Sequence, residues 1–246
     1  MQPEEGQYSS VWDVVTILVL SLVIVPALAH LSCRTLLSAA TNLPVDKVKQ
    51  ISMAVSMTAQ EAALFLLPWG VVWSVGRGLR DIGLVWRRPL KDVLVGIALG
   101  IICLFVSLLS EQVSAAALGL FLDNDVVTQM MSRENELMVN ALRSGYSPWL
   151  RVYMWVLVGL IAPIAEETLF RGYVLGVFTQ RWGEAKSLLL ANLLFAVVHG
   201  YVVHFLQVFL VGLLLGLAYQ RRKTLLTPII AHGVMNLMVA AAVAVS

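Results

Sequence analysis

Long apolar runs separated by short polar connections set the pattern of this chain. A helix needs about 20 apolar residues to cross a bilayer. Residues 14–31, "VVTILVLSLVIVPALAHL", meet that length, and residues 51–75 and 93–109 follow, the second run carrying Gln60 and Glu61. A fourth segment runs from about Trp149 to Trp182. Then come "SLLLANLLFAVVHGYVVH" and "FLQVFLVGLLLGLAYQ", split near His204, and finally "LLTPIIAHGVMNLMVAAAVAV". The pattern predicts an all-α, polytopic membrane helix bundle of about seven transmembrane helices, or eight if the fourth segment breaks near Gly172.

Between Asn124 and Ser147 the chain turns polar. Val127, Met130, Met131, Met138 and Leu142 recur there at helical spacing, with Arg133, Glu134 and Glu136 among them. That spacing predicts an amphipathic helix lying at the membrane interface. The chain thus divides into N-terminal transmembrane spans (1–125), an interfacial helix (126–148) and a C-terminal transmembrane core (149–246). "GIALG" (96–100) and "GLLLG" (212–216) are small-residue spacings that allow helices to approach closely.

Composition supports the membrane class. Hydrophobic residues make up 59% and charged residues 13%, about half the charge of a soluble domain. Seventeen Lys and Arg against fifteen Asp and Glu leave a net charge of +2, which argues against nucleic acid as a partner. The connections holding Arg77, Arg80, Arg87, Arg88 and Lys91, then Arg181 and Lys186, then Arg221, Arg222 and Lys223 fall on one side of a seven-span scheme. The positive-inside rule makes that side cytoplasmic, although Arg34, Lys47 and Lys49 lie opposite. The acidic N-terminus "MQPEEGQYSS" has no basic n-region, which predicts an uncleaved first anchor. Cys33 and Cys103 have no metal-like or disulfide-framework neighbours.

The costly stretch is "APIAEETLFRG", residues 162–172. A charge near mid-bilayer costs about 2.5–3.5 kcal/mol on insertion scales, and such residues face a bundle interior. Glu167 and Arg171 are i and i+4 and can form an ion pair. Glu166 points roughly 100° away on a helix and lacks that partner. Pro163 removes one backbone hydrogen bond just upstream, which favours a local opening. Two of the four histidines also sit in apolar runs. His199 ends "FAVVH" with Phe195 one turn before it, and His232 begins "HGVMN" with Asn236 one turn after it. His30 reads as interfacial and His204 as structural.

These side chains suit hydrolysis by an activated water. A carboxylate and an imidazole deprotonate the water, while a second imidazole and a carboxamide donate to the developing oxyanion. Two His and one Glu also form a zinc-type ligand set, but H-E-x-x-H is absent. A charge cluster that merely pins helices together is the plain structural alternative.

"EETLFR", "FAVVH" and "HGVMN", in that order and on separate apolar segments, resemble the CPBP family of intramembrane proteases (CAAX-processing and bacteriocin-processing, Abi). The resemblance covers roughly Trp149 to the C-terminus and makes 149–246 the catalytic core. It implies a helical bundle around a polar cavity open to the cytoplasm, in the plasma membrane, cutting a membrane-anchored or hydrophobic peptide. It further implies that Glu166 and His199 activate the water and that His232 and Asn236 hold the oxyanion. Glu167 and Arg171 would orient Glu166, and Phe195 would shape the pocket. The resemblance favours a glutamate-type mechanism with no cofactor over a zinc-dependent one. Two other classes compete: a non-catalytic immunity or scaffold protein that binds a peptide or partner, and a proton-coupled transporter.

Overall fold

The computed structural model describes residues 10–142 and 148–245, and the described chain is helical, with short connections apart from the longer stretch 75–88. Residues 1–9, which hold most of the acidic N-terminal stretch, lie outside it. Eight helices follow one another among the described residues. They are α1 (Val11–Ala40), α2 (Val45–Ser74), α3 (Pro89–Leu118), α4 (Asn124–Leu142), α5 (Pro148–Trp182), α6 (Glu184–His199), α7 (Phe205–Arg222) and α8 (Leu226–Val245). The bundle expected from the apolar runs is therefore present.

Local chemistry explains where helices start, widen and stop. Ser10 opens α1 with a reciprocal cap: its Oγ accepts from the Asp13 N–H at 3.3 Å, and its own N–H donates to Asp13 Oδ2 at 2.6 Å. Leu20–Ile24 in α1 and Leu157–Ile161 in α5 are π-helical turns, each ending two residues before a proline, Pro26 or Pro163. A proline lacks the N–H that the preceding turn needs, and a wider turn accommodates the carbonyl left over.

By length and apolarity, α1, α2, α3 and α5 are sufficient to cross a membrane. The fourth predicted segment does not break at Gly172. That glycine admits the 78–83 loop against α5, since a Cβ there would lie 2.8 Å from the Ile82 carbonyl oxygen. The predicted fifth span is shorter than its apolar run. Gly200, at φ 69°, stops α6 after 16 residues, about 24 Å, against a hydrocarbon core of about 30 Å. His199 consequently sits at a helix end, beside the 200–204 loop.

Both small-residue motifs lie at close helix crossings. A Cβ on Gly100 would fall 2.7 Å from the Ala231 carbonyl oxygen of α8, and one on Gly212 would fall 2.8 Å from Asn192 Oδ1 of α6. Large apolar side chains on the outer face of α3, such as Leu94, Phe105 and Leu109, are more than half exposed, as a lipid-facing surface requires. At one end of the bundle, Leu225 N–H bonds the Gly83 carbonyl at 2.8 Å, Lys223 Nζ lies 3.5 Å from Glu184 Oε1, and Arg222 pairs with buried Asp92. The three basic connections read from the sequence meet there.

Candidate active site

Glu166 and Glu167 close the short α-helical turn between two π-helical stretches of α5, the second running Thr168–Val174. Being consecutive, their side chains diverge into different surroundings. Glu167 is 0% exposed and Arg171 is 1% exposed. Arg171 Nη1 donates to Glu167 Oε1 at 3.0 Å, the i,i+4 pair expected from the sequence. Arg171 Nη2 reaches Asn192 Oδ1 at 3.3 Å and the Gly212 carbonyl at 3.2 Å. The guanidinium carbon lies 4.3 Å over the Phe195 ring. One buried cation thereby ties α5 to α6 and α7.

Glu167 also meets a third group, on another helix. Its Oε1 accepts from His232 Nδ1 at 2.9 Å. The Glu167–Arg171 pair thus orients His232 of α8. The sequence offered no sign of this, because i and i+4 spacing identifies the pair but not the third group it faces.

The two imidazoles are each fixed at Nδ1. His199 Nδ1 lies 2.7 Å from the Phe195 carbonyl oxygen. A carbonyl only accepts, so Nδ1 carries the proton, and in the neutral ring Nε2 is left with a lone pair. On His232, the Glu167 carboxylate fixes Nδ1–H in the same way. Both free Nε2 atoms face the same oxygen: Glu166 Oε2 is 3.9 Å from His199 Nε2 and 4.0 Å from His232 Nε2. That oxygen is buried and has no hydrogen-bond partner in the protein. Separations near 4 Å are too long for direct hydrogen bonds, yet one oxygen atom placed between such groups bonds both.

Phe195, 3% exposed, forms the wall behind these rings. Its centroid lies 4.5 Å from that of His199 and 6.4 Å from that of His232, both edge-on. Asn236 Nδ2 donates to the Val158 carbonyl at 3.0 Å, within the π-helical turn. One of its two N–H groups is used there, which leaves the other. Zinc would need these groups closer together. The two N···O separations exceed the roughly 3.4 Å edge of a tetrahedron with bonds near 2.1 Å. Among the described residues no group of three or more His, Cys, Asp or Glu is arranged to hold a metal ion.

Three participants escaped the sequence reading. Asn192 holds Arg171 and also donates to the Leu188 carbonyl at 2.6 Å. It sits three residues before Phe195 and seven before His199, a spacing that puts it on their helical face. Glu61, buried on α2 with Oε2 unpartnered, lies within electrostatic reach of Glu166. Glu134 of α4 holds the loop after His199. His204, read as structural, is buried against it. His30 is partly exposed and shares in none of these contacts.

Residues 148–238 match the family model described as Rce1-like, type II CAAX prenyl endopeptidase. An uncharacterized 24.3 kDa protein of Escherichia coli is 40% identical over 78 residues, which is 30% of this chain and 36% of that protein. The UPF0177 protein YbdI of Lactococcus lactis is 32% identical over 107 residues, covering 43% of this chain and 56% of the relative. The "Putative membrane peptidase YdiL" of Bacillus subtilis is 29% identical over 86 residues, 35% of each chain. The alignments therefore span between about a third and just over half of the curated relatives' lengths. No solved structure gives a significant match.

Proposed function

With residues 148–238 matching the Rce1-like CAAX prenyl endopeptidase family model, in an integral membrane protein, we propose that the chain is an intramembrane endopeptidase that hydrolyses a peptide bond of a membrane-anchored or hydrophobic peptide. The observation that carries this reading is the convergence of Glu166 Oε2, His199 Nε2 and His232 Nε2 within about 4 Å. In this scheme a water between Glu166 and His199 loses a proton to that pair as its oxygen attacks the scissile carbonyl carbon. The carbonyl π electrons move onto oxygen, and the remaining N–H of Asn236 together with His232 stabilises that oxyanion. With its Nδ1–H committed to Glu167, His232 donates from Nε2 only as an imidazolium. Collapse breaks the C–N bond, and the proton held by the Glu166–His199 pair passes to the leaving amine.

No step is assigned to a metal. The fixed tautomer of His199 favours this reading, since it directs a lone pair toward Glu166. The reading also places the protein in the plasma membrane with its site toward the cytoplasm. That orientation stands against the charge rule, because His199 lies at the end of α6 remote from the basic connections. A cysteine introduced at position 202 and labelled only from the cytoplasmic side supports it; labelling only from outside places the site on the opposite face.

The function is tested by comparing membrane peptides from cells carrying wild-type or Glu166→Gln protein, then supplying the differing peptides to the reconstituted full chain in ¹⁸O water. Cleavage with one ¹⁸O in the new carboxyl group is the expected result. If wild-type protein cuts none of them while Glu166→Gln cells keep every wild-type phenotype, the protein is a binding factor.

A further inference from the structure

A loop of five residues separates α6 from α7; the Gly200 N–H still bonds the Val197 carbonyl of α6 at 3.1 Å, whereas those of Val202, Val203 and His204 need acceptors from elsewhere. A distant carboxylate supplies the acceptors. Glu134 Oε1 accepts from the N–H of Val202 at 2.7 Å and of Val203 at 3.1 Å. Glu134 Oε2 accepts from the N–H of His204 at 3.1 Å and from His204 Nδ1 at 2.6 Å. Three successive backbone N–H groups at the start of α7 form an anion-binding concavity, and the anion is a side chain of α4. Burial alone would raise the Glu134 carboxyl. The hydrogen bonds from Val202, the His204 ring, Val203 and the His204 backbone outweigh burial and hold it below the ordinary carboxylate range. On the other side of the His204 ring, Nε2 lies 3.8 Å from Glu111 Oε1 of α3.

The contact chain continues to the candidate site. The His204 and Tyr201 rings lie 5.7 Å apart, and the Tyr201 and His199 rings 5.9 Å apart. His199 is held at Nδ1 by Phe195, so its remaining freedom is a swing of the ring edge that carries Nε2, and Tyr201 borders that swing. The helix bearing Glu134 also packs against α8, which carries His232 and Asn236. A side chain far from the reacting atoms thus holds the loop that follows His199.

Resting on the protease reading above, we propose that Glu134 is a positioning residue: it holds the 202–204 backbone and His204, and through Tyr201 keeps His199 Nε2 aimed at Glu166. Two variants separate this role from a plain structural one. Glu134→Gln replaces one acceptor oxygen with an NH₂ group, whichever of the two donor sets it faces. Tyr201→Leu removes the ring link and leaves the Glu134 contacts intact.

The experiment uses the reconstituted full chain labelled with ¹⁵N-histidine, with amide exchange at residues 202–204 and cleavage kinetics on the same samples. In wild-type protein His199 gives one Nδ1–H tautomer, and the three amides exchange slowly. In Glu134→Gln the amides exchange faster and the His199 signals become mixed. Its kcat falls by about 10- to 100-fold, as expected for a misplaced base, while KM is unchanged. In Tyr201→Leu the His199 signals and kcat change in the same sense while the amides stay protected. Unchanged His199 signals and kcat in Glu134→Gln, despite faster amide exchange, overturn the proposal. So does a Tyr201→Leu protein with wild-type kcat and His199 signals. Should wild-type protein cleave nothing, the His199 signals and exchange data still decide the positioning claim, because neither depends on turnover.

Discussion

Arg171 is the residue whose loss should be felt most strongly in stability. Its guanidinium neutralises a fully buried Glu167, bonds Asn192 and the Gly212 carbonyl, and lies over Phe195. Replacing it with leucine keeps much of the volume but leaves a buried carboxylate without its cation. Breaking a buried pair from one side costs about 3–5 kcal/mol. Glu167 Oε1 keeps the His232 Nδ1–H bond at 2.9 Å, so the lower end applies, about 3 kcal/mol. At about 2–4 °C per kcal/mol for a chain of this size, Tm falls by about 6–12 °C. The assay is thermal unfolding of purified protein in one detergent, for wild type, Arg171→Leu, Glu167→Gln and the double variant. Because Glu167→Gln removes the charge that Arg171→Leu strands, the double variant should be less destabilised than the sum of the singles, by about 1–2 kcal/mol. Additive singles, or an Arg171→Leu protein within 1 °C of wild type, would refute the view that this pair is the bundle's buried electrostatic tie.

Other perturbations give contrasting outcomes. Gly100→Ala places a methyl 2.7 Å from the Ala231 carbonyl oxygen and should lower stability by about 1–3 kcal/mol, whereas Gly176→Ala meets nothing within 4 Å and should hold or raise Tm. Chelation with 1,10-phenanthroline should leave the cleavage rate unchanged; a loss restored by zinc would put a metal among Glu166, His199 and His232. Glu134 has a depressed carboxyl, so its stabilisation is full above the ordinary carboxylate value near 4.3 and fades as pH falls through its lower folded value. The Tm gap between wild type and Glu134→Gln should accordingly shrink below pH 4. A gap that widens on acidification would contradict the sign.

The membrane class, the helical bundle and the Glu167–Arg171 pair were legible because each follows from local spacing: apolar run length for the spans, i and i+4 for the pair. Helix ends were less legible. The run around His199 looks continuous by hydropathy, and only the left-handed Gly200 reveals that α6 stops there. Gly172 looked like a break because a glycine in a helix has two readings, flexibility or close approach, and only the Ile82 carbonyl packed against it decides for the second. The link between Glu134 and residues 202–204 spans about 70 positions, and no periodicity in one sequence encodes such a pairing. Asn192 differs from these, since its spacing from Phe195 and His199 made it available to sequence reasoning.

The proposed hydrolysis turns on Glu166 and His199 together activating one water. Turnover by reconstituted Glu166→Gln and His199→Gln proteins, measured beside their Tm values, addresses it most directly. Removing a general base lowers turnover by about 10²- to 10⁴-fold. Glu166 Oε2 has no hydrogen-bond partner to lose, so the Glu166→Gln protein should keep its wild-type Tm. Cleavage at the wild-type rate by either correctly folded variant would contradict the claim.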